Sequence, residues 1–262
     1  MVDRTANLLR LHVDGYLFST TSIAGAGSVD NSAALQLGAR GGADFYSGDL
    51  DDARIYDRAV TTLEIAQIYD ALSGDFNGSL IARWPFDETT GTIITDGISG
   101  NNGTFSGGAN IISASARQNT GIEFDGVDDG ITIFASASLD NIAPFTSCLW
   151  MNADSYPTAN PVLMNKALVA GTNGWEIALD SASNGVRIRT NQQGLKTFNA
   201  DINLGEWTHL CAAWDGSDGT DGISLYKNGA PVTSIASQSD GGSANADDST
   251  RTLGIGLSLI HI

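Results

Sequence analysis

Short runs of alternating hydrophobic and polar residues follow one another along most of this chain. Such alternation predicts β-strands with one buried face, and the Gly, Asp and Asn residues between the runs predict tight turns. Asp14-Gly15 lies between two runs and predicts a hairpin turn. The clearest runs are 9–13, 16–18, 34–38, 50–56, 80–84, 122–131, 145–150, 175–179, 186–189, 207–210 and 223–229. The pattern predicts an all-β protein built from antiparallel strands.

One segment carries a helical pattern in place of this alternation. Thr61 and Glu64 form a Thr-x-x-Glu capping box. The apolar positions of segment 65–72 recur at helical spacing, and Gly74 follows as a stop signal. These features predict one short helix near residues 61–72.

The residues that lead into this helix carry a family pattern. Its elements are Phe45, Ser47-Gly48, Asp51-Asp52, Arg54-Ile55-Tyr56, Arg58-Ala59 and Glu64-Ile65. This order resembles the closing segment of the laminin-G-like, concanavalin-A-like sandwich modules of secreted bacterial proteins. The resemblance implies a jelly-roll-like antiparallel β-sandwich. It also implies a carbohydrate-binding or adhesion module that lies outside the cell or on its surface.

The opening elements of the same family come later in the chain. A Trp-x-Phe-Asp strand end at 84–87, a Phe-Asp-Gly-x-Asp-Asp motif at 124–129 and a Phe-Thr-x-x-x-Trp strand at 145–150 resemble its first half. We therefore divide the chain into the C-terminal part of one module (1–73), a linker (74–79) and a second module that lacks its closing strand (80–257). The tail 258–262 does not resemble the module, so we expect it to be no part of the sandwich. The alternative is that it forms a genuine apolar terminal strand.

An internal repeat supports this division. Segment 11–15 matches 225–229, and segment 35–38 matches 253–256. The first copy contains the closing strand that the second copy lacks, and the second copy contains the opening strands that the first copy lacks. A module without its closing strand would expose a core sheet edge. We expect residues 1–73 to complete the sandwich of 80–257 as a circular permutation.

The charge of the chain excludes several partners. It has 30 acidic and 13 basic residues, a formal net charge of −17, and no run of Lys or Arg. Such a protein does not bind nucleic acid or anionic membranes through general electrostatics. No apolar run is long enough to insert into a bilayer. Residues 1–11 have no apolar signal region, so we expect an export signal outside this chain.

The search for catalytic motifs is negative. The three histidines belong to no HExxH motif, and neither GxSxG nor a phosphate-binding GxxxxGK[ST] loop occurs. We expect a structural role for His209. Hydrolases that share this sandwich place Glu-x-Asp-x-(x)-Glu on one strand, and no two Glu residues here are close enough for that arrangement. We therefore expect no enzyme, although a pair of Asp residues from separate strands stays open.

Clustered Asp residues predict a structural calcium ion, because Ca²⁺ takes six to eight oxygen ligands. The candidates are Asp51, Asp87, Asp125 and Asp128, and the loop 215–221 also carries three Asp residues. The family resemblance implies that Asp51 and Asp87 come close together between the first and last strands. The alternative is that Asp51 bonds Arg54 or turn amides, and that Asp125 caps the turn at Gly126.

A glycan, such as a cell-surface polysaccharide, would be recognised by an exposed aromatic ring beside polar groups. We expect the Trp residues in the core, and Tyr46 and Tyr156 as exposed ligand-binding rings. Cys148 and Cys211 either pair in an exported protein or remain buried thiols. The alternative function is a structural spacer or a module that binds other proteins.

Overall fold

The computed structural model describes most of the chain, and the statements below concern only the part that it describes. For the strands before residue 35, and for residues 51, 52 and 240, the description is of the backbone alone. The described residues are 2–3, 8–13, 16–22, 35–39, 44–56, 58, 64, 79–112, 116–117, 119–155, 160–167, 174–190, 194–217, 219–240 and 253–255.

The regular structure of these residues is dominated by strands. In chain order they are β1 (Val2–Asp3), β2 (Leu8–Val13), β3 (Tyr16–Ser22), β4 (Leu35–Leu37), β5 (Ser47–Tyr56), β6 (Leu80–Trp84), β7 (Ile93–Ile94), β8 (Gly103–Ser106), β9 (Asn110–Ile112), β10 (Gly121–Asp125), β11 (Gly130–Ile133), β12 (Phe145–Ala153), β13 (Val162–Lys166), β14 (Trp175–Asp180), β15 (Gly185–Thr190), β16 (Gly194–Phe198), β17 (Thr208–Trp214), β18 (Ile223–Lys227), β19 (Ala230–Pro231), β20 (Ile235–Asp240) and β21 (Leu253–Ile255). The all-β prediction is confirmed.

The first large sheet is organised around β5. Its strand order is β19-β18-β17-β12-β5-β10-β9, and β6 also pairs with β5. One edge of β5 pairs with β12, and the other edge pairs first with β10 and then with β6. Leu50, Ala53 and Ile55 of β5 are fully buried. Their burial explains why this strand lies in the middle of the sheet.

The second large sheet has the order β20-β16-β15-β14-β13-β21-β4-β11-β8-β7. All its pairings are antiparallel except that of β4 with β21, which is parallel. Both β4 and β21 also pair with β11 on one side and with β13 on the other. The two short strands therefore share one position in the sheet.

The core lies between these two sheets. Trp84, Phe124 and Trp214 from the first sheet are buried in it. Phe145 of β12 stacks on Trp175 of β14, with ring centroids 4.6 Å apart, and so joins the two layers. Each fully buried ring of this kind contributes about 2 kcal/mol of hydrophobic stabilisation. The arrangement is a β-sandwich, as the family resemblance implies.

The hairpin prediction is confirmed, because Val13 pairs with Tyr16 across positions 14–15. Of the predicted helix, the structure describes Glu64 alone, in helical conformation, with its carboxylate held by Arg58 at 2.7 Å. The rest of segment 61–72, and the tail 258–262, lie outside the described residues. Strands β13, β16 and β20 were not predicted from the alternation.

β4 and β5 come from the segment before the proposed linker, and they pair with strands that follow it. The division of the chain into two partial modules stays a prediction.

Cys148 and Cys211 lie directly opposite each other on β12 and β17 and form a disulfide. In the described part of the chain, no helix combines the length and the hydropathy that a membrane crossing requires.

Candidate functional site

The turn between β10 and β11 gathers three carboxylates. One carboxylate oxygen from each of Asp125, Asp128 and Asp129 lies within 4.8 Å of the others. The side chains of Asp125 and Asp128 are exposed, whereas Asp129 is only 4% exposed. The structure thus brings together two of the predicted metal-binding residues and adds a third.

Hydrogen bonds within the turn explain its shape. The backbone N–H of Val127 donates to Asp125 Oδ1 at 2.8 Å, which is an Asx turn. The N–H of Asp125 donates to Asp129 Oδ2 at 2.8 Å, and the N–H of Gly108 donates to the other oxygen of Asp129. Asp125 therefore caps the turn at Gly126 through one oxygen, as the alternative interpretation predicted.

A pocket of about 380 Å³ opens beside this turn. Glu123 and Asp125 are two residues apart on β10, so they point to the same face of the sheet. Asp154, which follows β12, lines the same pocket. Its other lining residues are Ser47, Gly108, Asn110, Phe124 and Asp129. The pocket is therefore acidic on several sides.

The strand register concentrates this negative charge. Glu123 on β10 lies directly opposite Asp49 on β5. Like charges at directly opposed positions destabilise a sheet unless another group compensates them. On its other side, Glu123 faces Asn110 of β9. The register thus places Glu123 between an acidic residue on β5 and an amide residue on β9.

The pKa of Asp129 reflects the same environment. Burial raises this pKa above its usual value of 3.8, and the charges of Asp125 and Asp128 raise it further. The hydrogen bonds from the Asp125 and Gly108 amides act in the opposite direction. The net upward shift means that the site disfavours an additional negative charge.

The oxygens of the turn partly fit a calcium ion. Asp129 has both oxygens engaged by backbone amides, and Asp125 has one engaged. Within the described ranges, no donor reaches the carboxylate of Asp128 or the second oxygen of Asp125. Carboxylate oxygens that lack donors are the ligands that Ca²⁺ prefers, together with water and carbonyl groups.

Among the described side chains, the other predicted metal-binding residue, Asp87, is not part of this group. Asp87 is exposed, and it is absent from the described carboxylate clusters. The backbone of Asp51 pairs with Trp150, but its side chain is not described. The register of β5 with β6 extends to the pair of Ala53 with Trp84. Calcium binding between Asp51 and Asp87 thus stays a prediction.

The prediction that Tyr46 is exposed was wrong. Tyr46 is 1% exposed, and its hydroxyl donates to the backbone oxygen of Asp49 at 3.2 Å. The ring packs against Phe124, with centroids 6.5 Å apart. Burial, together with the charges of Asp49 and Asp154, raises the pKa of this phenol well above 10.0. Tyr156 lies outside the described residues.

The loop after β17 uses its first Asp residue internally. Asp215 is buried, and one of its oxygens accepts the N–H of Ser217 at 2.7 Å. A side chain at Gly222 would overlap Asp215. Asp221 is exposed, and residue 218 lies outside the described ranges. The described residues of this loop contribute to no carboxylate cluster.

The expected structural positions of the Trp residues and His209 are largely confirmed. His209 is buried on β17 and packs against Trp150, with ring centroids 5.1 Å apart. Four Trp residues are buried, and Trp207 is half-buried; the buried ones are Trp84, Trp150, Trp175 and Trp214.

Sequence reasoning missed Glu123, Asp154 and Asn110 as parts of the site, and it placed Asp129 in the acidic motif without naming it as a metal ligand. The spacing of Glu123 and Asp125 on one strand was a usable signal, because alternate residues share a face. Asp154 and Asn110 reach the pocket only through strand pairing, and one sequence carries no local sign of that.

Comparison with known proteins agrees with this architecture. A laminin G family model of the concanavalin A-like lectin/glucanases superfamily matches residues 1–66 and 125–256. No curated protein and no solved structure gives a significant match. The family match covers most of the chain and includes the acidic turn. The chain belongs to the laminin G family of the concanavalin A-like lectin/glucanase superfamily.

Proposed function

We propose that this chain is a non-catalytic carbohydrate-binding or adhesion module of a larger extracellular bacterial protein. The observation that carries the proposal is the set of carboxylates around one pocket, beside the turn 125–129. The family includes lectins, which supports a carbohydrate ligand. The disulfide between Cys148 and Cys211 supports an oxidising, extracellular location.

In this proposal, a calcium ion binds at the turn. Asp125 and Asp128 supply oxygens that no described donor occupies, and water completes the coordination. Glu123, Asn110 and Ser47 then face the ligand with groups that can bond sugar hydroxyls. Val127 is 68% exposed at the tip of the turn and offers an apolar contact for a sugar face.

A thermal unfolding scan with calcium and with chelator tests the metal part. We expect the melting temperature to rise with calcium, because a ligand of the folded state stabilises it by mass action. A glycan array with the folded protein tests the ligand part. Binding to a defined glycan class supports the proposal, and a cooperative but calcium-indifferent protein with a silent array contradicts it.

A silent array would favour the alternative, a spacer or a module that binds other proteins. The described surface has few large exposed apolar side chains that could mark a protein interface, among them Val127 and Phe134. The acidic pocket is the more specific feature. We therefore place the glycan proposal first.

Hydrolysis is the second candidate, because carboxylates at Glu123, Asp125, Asp129 and Asp154 line one pocket. Retaining glycosidases need two carboxyl groups roughly 5 Å apart. The test is the release of reducing ends from any glycan that binds the array. Hydrolysis that Glu123→Gln abolishes, with glycan binding retained, would establish catalysis and overturn the non-catalytic assignment.

A further inference from the structure

One position in the second sheet, between β11 and β13, has two strands that fit it. We name this position the slot. Ile131 of β11 lies opposite Leu37 of β4 and also opposite Ile255 of β21. The next residue, Thr132, likewise faces Gln36 and Gly254. The two strands thus meet β11 in the same register.

The other wall of the slot gives the same result. Asn165 of β13 pairs with Gln36 and also with Gly254. β4 and β21 run in the same direction, with Leu35 corresponding to Leu253 and Leu37 to Ile255. The two strands therefore correspond residue by residue along β11 and share the position opposite Asn165 on β13.

Only one of the two strands can be seated at a time. The edge of a strand carries a single row of N–H and C=O groups, which pairs with one neighbour. A Cβ atom on Gly254 would overlap the side chain of Gln36, so the two residues occupy the same position in the sheet. The chain therefore contains two strands for one slot.

The sequences of the two strands suit the same surroundings. Segments 35–38 and 253–256 read Leu-Gln-Leu-Gly and Leu-Gly-Ile-Gly. Their apolar residues are Leu35 and Leu37 in one and Leu253 and Ile255 in the other, and all are fully buried. The core side of the slot can thus be filled by either pair.

We infer that segments 35–37 and 253–255 are alternative occupants of the slot. The segment left out is then a donor strand for the equivalent slot of another sandwich of this family. An unseated strand exposes its apolar residues and its unpaired backbone groups. Adding a strand to an open sheet position satisfies both.

The balance between the two occupants favours the first. Gly254 stands where the other strand has Gln36, and glycine inside a strand costs backbone entropy. We expect segment 35–37 to be seated about two- to fivefold more often. Both states are then measurable in one sample.

Disulfide trapping tests this inference in the full chain. The variant combines Gln36→Cys, Asn165→Cys and Gly254→Cys, because directly opposed positions are close enough for a disulfide. After mild oxidation, peptide mapping should find position 165 bonded to position 36 in some molecules and to position 254 in others. Bonding to only one of these positions would overturn the inference.

A matched control measures whether the slot is filled. Thr132 and Asn165 lie on opposite walls, two strand spacings or about 10 Å apart when a strand lies between them. Thr132→Cys with Asn165→Cys should therefore stay unbonded. A bond between them would mean that the slot stands empty, which also contradicts the inference.

Thermal unfolding gives a second test. Leu37→Asp and Ile255→Asp each disable one strand, so each single variant should keep a cooperative transition through the other strand. The double variant should lose the cooperative transition or melt at a far lower temperature. A synthetic peptide of residues 32–39 should restore the transition. If Ile255→Asp leaves the melting temperature unchanged and Leu37→Asp lowers it as much as the double variant does, the slot has one dedicated strand. That result would overturn the inference.

Discussion

Carboxylates in this protein act in two ways, according to the donors that face them. Asp96 is buried, and its oxygens accept four backbone N–H groups, which belong to Arg83, Ile98, Ser99 and Asn101. A carboxylate satisfied in this way fixes a loop. Asp128 is exposed, and no described donor reaches it, so it is available to a ligand. The residue type is the same, and the surroundings decide its role.

Gly48 follows Ser47, which lines the acidic pocket, and has a backbone conformation that other residues avoid. Its φ is 141°, and a Cβ atom there would meet the carbonyl oxygen of Asn152 and the ring of Tyr46. We expect Gly48→Ala to lower the free energy of unfolding by about 2 to 4 kcal/mol. Chemical denaturation measures this change.

The matched control for that substitution is Gly97→Ala. Gly97 has no neighbour within 4 Å of its Cβ position and no positive φ. Its change should stay within about 0.5 kcal/mol. Equal losses at positions 48 and 97 would show that the packing around Gly48 is not the cause.

The raised pKa of Asp129 makes stability depend on pH. The folded state holds this proton more tightly than the unfolded state, whose value is near 3.8. The stability that this tighter proton binding contributes is therefore fully present below the unfolded-state pKa. It is lost as the pH rises through the pKa of Asp129 in the folded state. In chelator, the melting temperature of Asp129→Asn should fall less steeply over this range than that of the parent. Parallel slopes would contradict the assignment.

At the level of elements, the sequence was most informative where alternation or a family motif was strong. The strands around Leu80–Trp84, Phe145–Ala153 and Ile223–Lys227 were all predicted. β13, with the burial pattern of a fully buried strand, and the mostly exposed β20 lack a clear alternation. Strands buried or exposed on both faces give no two-residue period, so this signal fails for them.

The central position of β5 gives a prediction about the linker 74–79. β4 and β5 pair with strands that follow the linker, whereas the disulfide from Cys148 to Cys211 lies wholly after it. A chain cut at a protease site inserted in this linker should therefore stay together by strand pairing alone. Native size-exclusion chromatography should show one species, and denaturant should separate the pieces. Separation in native buffer would contradict the pairing.

For the whole molecule, the formal charge of −17 predicted an acidic surface but not where the carboxylates converge. The acidic turn at 125–129 was found from its motif. The pocket beside it depends on β5, β9 and β12 approaching β10 and the turn, through contacts between residues distant in sequence. Tyr46 was misplaced for a related reason, since its spacing gave no sign that its ring packs on Phe124.

The central claim is that the acidic pocket binds a glycan with the help of calcium. The most direct measurement is a glycan array in calcium that compares the parent with Asp128→Asn and with Asp221→Asn, an exposed Asp outside the described lining of the pocket. The account predicts a calcium-dependent signal that Asp128→Asn lowers at least tenfold, a loss of about 1.4 kcal/mol, and that Asp221→Asn leaves unchanged. Equal signals from all three proteins, or a signal that persists in chelator, would contradict it.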